Sequence, residues 1–172
     1  TGGASGWTCI QNFGGCSGCG GCIPDNQTSF IAPVVLDANA QSTLYSGSKY
    51  VYRNSSAPTG STWSSISPDL VGNTYDSIVN IHSAPNNGVA GVLWVTTLNG
   101  KVWVTTDDAA NWIDTTAAPL PNNPVLPNRA AMWTATHPAD GRMAIVVYSG
   151  WNGTGSQPGH VFRTLDGGAS WI

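Results

Sequence analysis

Bulky and β-branched side chains fall at alternate or adjacent places in three short stretches, KYVYR (49–53), KVWVT (101–105) and HVFRT (160–164), as they do in strands. Each is preceded by two apolar runs flanking a Pro/Asn/Asp/Gly turn: VVLDANAQSTLYSG (34–47), IHSAPNNGVAGVLWVTT (81–97) and ATHPADGRMAIVVYSG (135–150). Each is followed by a polar stretch that closes on tryptophan: SAPTGSTW (56–63), TTDDAANW (105–112) and TLDGGASW (164–171). The chain therefore reads three times as strand, turn, strand, turn, strand, polar turn, strand. The first unit predicts strands near 31–36, 42–47, 49–53 and 62–66. The second predicts them near 77–83, 91–97, 101–106 and 111–115. The third predicts them near 130–136, 143–149 and 160–164, with a stub at 170–172. No helix longer than two turns is expected.

The tryptophan-to-tryptophan spacings are 49 and 59 residues, the second lengthened by the loops TTAAPLPNNPVLPNR (115–129) and GWNGTGSQPG (150–159). Four-stranded units with periods of roughly 40–50 residues are what a β-propeller blade requires. Aligned on Trp63, Trp112 and Trp171, the copies place Ser56, Thr105 and Thr164 seven residues earlier. Asp107 and Asp166 stand five earlier, with Pro58 in the first copy, and Gly60, Ala109 and Gly168 stand three earlier. On these residues the chain resembles the Asp-box, or BNR-repeat, β-propellers, whose motif is Ser/Thr-x-Asp-x-Gly-x-Thr/Ser-Trp and which include sialidase-like, xyloglucanase-like and sortilin-like proteins.

The resemblance covers about residues 31–172 and implies an all-β propeller of four-stranded blades, about three of them present. The divisions are 1–30 (an outer strand of a preceding blade and a Gly/Cys-rich loop), 31–70, 71–116, and 117–172 with an incomplete last strand. The Asp and Gly of the motif have turn-building jobs: Asp accepts hydrogen bonds from its own turn, and Gly tolerates positive φ. The tryptophan packs between units. Pro58 offers no acceptor, so the first turn is expected to be remodelled.

Charge narrows the function classes. The 172 residues hold nine Asp, no Glu and six Lys plus Arg, with a formal net charge of -3. No basic cluster is present, so a nucleic-acid footprint is missing. No apolar run approaches the roughly 20 residues of a membrane helix, so no membrane insertion is expected. Low charge, uncharged polar surface and clustered cysteines favour a secreted or cell-surface location.

A glycosidase needs two carboxylates facing one sugar. Asp107 and Asp166 are assigned to turns, and no arginine triad of the sialidase kind or acidic pair of the xyloglucan-cleaving kind is visible. No catalytic residue is therefore named, and this chain alone is not expected to be an enzyme. Asp76, at the start of a first strand, and Arg129, before an innermost strand, are the candidates for facing a central channel. Trp151 offers a ring for stacking on a sugar, against a reading in which it tucks onto its blade. The three histidines lack metal-ligand spacing, and no metal or other cofactor is expected in the repeats.

Cys9, Cys16, Cys19 and Cys22 lie within fourteen residues and nowhere else. Two disulfides stapling a Gly-rich loop are expected, in any of three pairings, with a zinc or iron–sulfur site and free thiols as the alternatives. TGGASGW (1–7) echoes TLDGGASW (164–171), which suggests a segment cut from a longer array. Either further blades of a longer chain or a homo-oligomer partner is expected to complete the ring. The resulting functional reading is a non-catalytic propeller segment that serves as scaffold or binds a glycan or protein. The alternative is part of a glycoside hydrolase whose carboxylates lie largely elsewhere.

Overall fold

The computed structural model describes residues 12–13, 22–25, 27–57, 62–72, 75–85, 91–116, 126–150 and 159–172. Among these residues there is no helix. A short parallel pair, β1 (Asn12–Phe13) with β2 (Cys22–Ile23), comes first. Three antiparallel meanders follow, each in chain order.

Blade one contains β3 (Val34–Leu36), β4 (Leu44–Gly47), β5 (Val51–Asn54) and β6 (Ser64–Ser65). Blade two contains β7 (Ile78–Ser83), β8 (Leu93–Thr97), β9 (Val102–Thr105) and β10 (Ile113–Asp114). Blade three contains β11 (Ala131–His137), β12 (Asp140–Tyr148) and β13 (Val161–Thr164). Beside β13, Ile172 exchanges both backbone hydrogen bonds with Arg163, at 2.8 and 2.9 Å, in the place of a fourth strand's first pair. The sequence reading of an all-β partial propeller is the architecture found.

Burial follows from the stacking. Blade two lies between the other two, and all five residues of β8 (LWVTT) are buried. Alternation disappears because each face of the strand meets a neighbouring sheet. In β13, at the open side of blade three, only Thr164 is fully buried. One apolar cluster fills the space between blades one and two, around Tyr45, Val51, Ile81, Leu93 and Val95. A second fills the space between blades two and three, around Trp94, Val104, Val146, Tyr148 and Trp171. A third joins Ile23 to Tyr52 and Trp63, so the segment of β2 covers the far side of blade one.

The ladders fix which residues correspond between blades. Leu44 pairs Asn54, Leu93 pairs Thr105 and Ala144 pairs Thr164, so these three pairs are equivalent. On that register Asn54, not Ser56, stands where Thr105 and Thr164 stand. The first copy carries two more residues between this position and its tryptophan, which an alignment without gaps hides. Asn54 is fully buried, and its Oδ1 accepts the Ser56 amide at 2.9 Å. A side-chain acceptor thus starts the turn even without the Asp. Gly60 and Pro58 lie outside the described residues.

Candidate functional site

Three sets of side chains were candidates for function: the Asp turns, the groups near the channel ends, and the inner-strand wall. The Asp turns are built alike. Thr105 donates to Asp107 Oδ1 at 2.9 Å and accepts the Ala109 amide at 3.1 Å. Asp107 also takes the Asn111 amide at 2.9 Å and the Asn111 side-chain NH2 at 2.7 Å. In the last copy Thr164 donates to Asp166 Oδ1 at 2.7 Å and accepts the Gly168 amide at 2.9 Å. Asp166 takes the Ser170 amide at 2.9 Å and the Ser170 hydroxyl at 2.5 Å. Two consecutive left-handed residues make both turns, Asp108 and Ala109 (φ 56° and 68°) in one and Gly167 and Gly168 (φ 75° and 86°) in the other.

These hydrogen bonds stabilise the ionised carboxylate. Donation from Asn111, by side chain and then by backbone, holds Asp107 below the usual carboxylate range. For Asp166 burial acts upward, but donation from Ser170 and Thr164 outweighs it and the net shift is downward. A carboxylate kept charged and ringed by its own turn is a poor proton donor, so these two groups build the turn. Each tryptophan packs back toward the preceding unit. Trp63 joins Ile23, Trp112 donates to the Ile66 carbonyl of blade one at 3.0 Å, and Trp171 lies edge-on to Trp94 with centroids 5.9 Å apart.

Near the channel ends, Asp76 and Arg129 occupy equivalent places, two residues before Ile78 and Ala131. Both turn inward. Asp76 is 2% exposed, and its Oδ1 accepts the amides of Ser77 at 2.8 Å and Asn99 at 2.9 Å. Arg129 donates to the Gly159 carbonyl and approaches His160 Nδ1 at 3.5 Å. Asp25 does the same for blade one, accepting the Ser48 hydroxyl at 2.5 Å and the Lys49 amide at 3.3 Å. So one side chain ahead of each blade ties down the hairpin between its second and third strands. The residue type changes with the group offered: an acid meets N–H or O–H donors, a guanidinium meets a carbonyl. Sequence inspection missed this set because Asp, Asp and Arg do not look like a repeat.

The inner strands β3, β7 and β11 border an open cleft of about 690 Å³. Its wall includes Phe30, Ile31, Val79, His82, Met132 and Trp133. Register shifts at Val79 in β7 and Met132 in β11 mark equivalent bulges in these two inner strands. A bulged residue leaves the ladder and re-aims its side chain. Here the residues at those points are apolar. Phe30 is exposed in this cleft, so its ring offers stacking surface.

Among the described residues the wall contains no carboxylate, and His82 is its titratable group. Its Nε2 meets Thr136 Oγ1 of blade three at 2.9 Å.

Burial pushes the His82 imidazole below its ordinary value of 6.5. A lowered histidine contributes stability fully present above the unfolded value and lost as pH falls through the folded one. Urea midpoints are therefore expected to fall as pH drops from about 6.5, and His82→Gln should flatten that slope, because the unfolded imidazole titrates near 6.5. An unchanged slope in the variant would assign it to other groups.

Trp151, Cys9, Cys16 and Cys19 lie outside the described residues, as does the side chain of Cys22. The disulfide expectation therefore rests on the sequence. Among the described residues no group of His, Cys, Asp or Glu could hold a metal ion. Among the described residues no helix is long and apolar enough to cross a membrane. Asn54, the acceptor position of an N-x-S sequon, is fully buried, which leaves no room for a glycan on it in the folded chain.

The class defined by these sheets is the β-propeller. No family model matches the chain, and no curated protein does. Solved structures do match. An ancestral GH74 enzyme aligns with 81% of this chain and 17% of its own, at TM-score 0.57 and 22% identity. The GH74 xyloglucanase from Xanthomonas campestris aligns over 81% and 22%, at TM-score 0.50 and 17% identity. YCF48 from Cyanidioschyzon merolae aligns over 81% and 35%, at TM-score 0.52 and 15% identity. All three are β-propeller proteins. This chain spans at most about a third of each, and the likeness is one of fold.

Proposed function

We propose that these residues are a segment of an Asp-box β-propeller that works as a non-catalytic scaffold or binding surface, secreted or at the cell surface. The two Thr-x-Asp turns, alike in hydrogen bonding and in their pair of left-handed residues, support the Asp-box assignment. The observation that carries the functional reading is the inner-strand cleft. Its wall is apolar and aromatic, and general acid–base cleavage of a glycosidic bond needs paired carboxylates there. The exposed Phe30 ring suits the apolar face of a sugar or a protein side chain.

A second reading is favoured by the two GH74 neighbours: part of a glycoside hydrolase whose acids are supplied by blades beyond these residues. Incubating the natural polypeptide that carries these 172 residues together with its further blades with xyloglucan, and measuring reducing ends, separates the two. The first reading expects no release. Release that disappears when one of the nine aspartates is changed to asparagine would make the chain catalytic.

A further inference from the structure

Every blade has a face toward the preceding blade and a face toward the following one. In blades one and two the following face is covered. Tyr45 and Trp94, at equivalent places on second strands, are 3% and 0% exposed, and Asn80 on the inner strand is 7% exposed. Blade three repeats this face with Ile145 at the place of Trp94 and Trp133 at the place of Asn80. They are 39% and 62% exposed, and Val161 and Leu165 beside them are exposed as well. A groove of about 360 Å³ runs between Met143, Ile145, Arg163 and Leu165. The surface is an inter-blade face without its neighbour.

Charge says what the neighbour carries. Arg53 projects from the following face of blade one and pairs with Asp108, in the turn of blade two, at 2.9 Å. The equivalent residue of blade two is Val104, and the turn it faces offers uncharged Gly167 at the place of Asp108. Arg163 is equivalent to Arg53, since Arg53 and Arg163 both precede the first residue of the turn. A second copy of this chain is a poor match. Its first turn, residues 55–62, contains no acid, and the far side of its blade one is already covered by the Ile23 cluster.

We propose that this face of blade three docks a further blade from polypeptide outside residues 1–172, with an apolar near face and an acidic residue at the position of Asp108. This rests on the propeller reading above. Blade two has that chemistry, so a copy of residues 71–116 appended after Ile172 of the full chain serves as the probe. Trp133 modification by N-bromosuccinimide, read by mass spectrometry, is expected to slow by roughly tenfold in the extended chain, because protection follows the closed population. Arg163→Ala in the extended chain should restore part of the reactivity, about threefold, as an exposed ion pair allows. Trp133 reacting equally in both chains overturns the proposal, including the case where the appended copy does not fold. Concentration-dependent dimerisation of the unextended chain that protects Trp133 overturns it too, in favour of a second copy. Neither outcome depends on glycan hydrolysis, so failure of the functional reading is seen separately.

Discussion

Trp94→Ala is expected to lower the unfolding free energy by about 3–5 kcal/mol, the range for removing a large buried aromatic side chain. The indole is fully buried, its Nε1 donates to the Gly141 carbonyl of blade three at 2.8 Å, and its ring meets Trp171 edge-on. Truncation opens a cavity, loses an aromatic pair and leaves a carbonyl without that donor. Against a total of roughly 5–15 kcal/mol for a domain, this single change decides whether blades two and three stay joined. Trp133→Ala is the control. Its exposed ring should change stability by no more than about 0.5 kcal/mol. Urea unfolding followed by circular dichroism measures both, and equal losses would contradict the burial described here.

Gly168→Ala is the second large effect, expected to cost about 2–4 kcal/mol by adding left-handed strain to overpacking. Gly168 has φ +86°, and an added Cβ would lie 2.3 Å from Thr115 Cγ2 and 2.7 Å from its Cβ. Thr115 is buried, with its hydroxyl held by the Val102 carbonyl at 2.8 Å, so it has little room to give. The other copy separates the two causes. Ala109 already adopts φ 68° at the equivalent position. Ala109→Gly should therefore stabilise by about 1 kcal/mol through relief of backbone strain alone. The difference between the two substitutions then reports the Thr115 contact. If Gly168→Ala costs no more than Ala109→Gly gains, the close approach is not what the turn depends on.

Where repetition was explicit, the sequence was a good guide. The stretches KVWVT and HVFRT, the turns after them and the tryptophans that follow are copies, and copies reveal strands that propensity alone would leave ambiguous. What remained hidden lay where equivalent positions carry different chemistry. Asn54 replaces Thr in a turn lengthened by two residues, which a tryptophan-anchored alignment could not show. Asp25, Asp76 and Arg129 share one task, yet an acid and a base look unrelated until the hairpin groups they meet are seen. The bulges at Val79 and Met132 leave no mark in sequence, because a bulge is a property of two strands paired together. Asp76 and Arg129 looked like channel residues on position alone; burial turned them toward the hairpins.

The central claim is that consecutive meanders stack face to face as blades, with Trp94 and Trp171 meeting across the join. Nuclear Overhauser spectroscopy on the 172-residue chain tests this directly. Cross-peaks are expected between the indole protons of Trp94 and Trp171, whose centroids lie 5.9 Å apart, and between the His82 ring and the Thr136 side chain, whose polar atoms lie 2.9 Å apart. Indole contacts of Trp94 confined to its own sheet, with none to Trp171, would contradict the stacked-blade account.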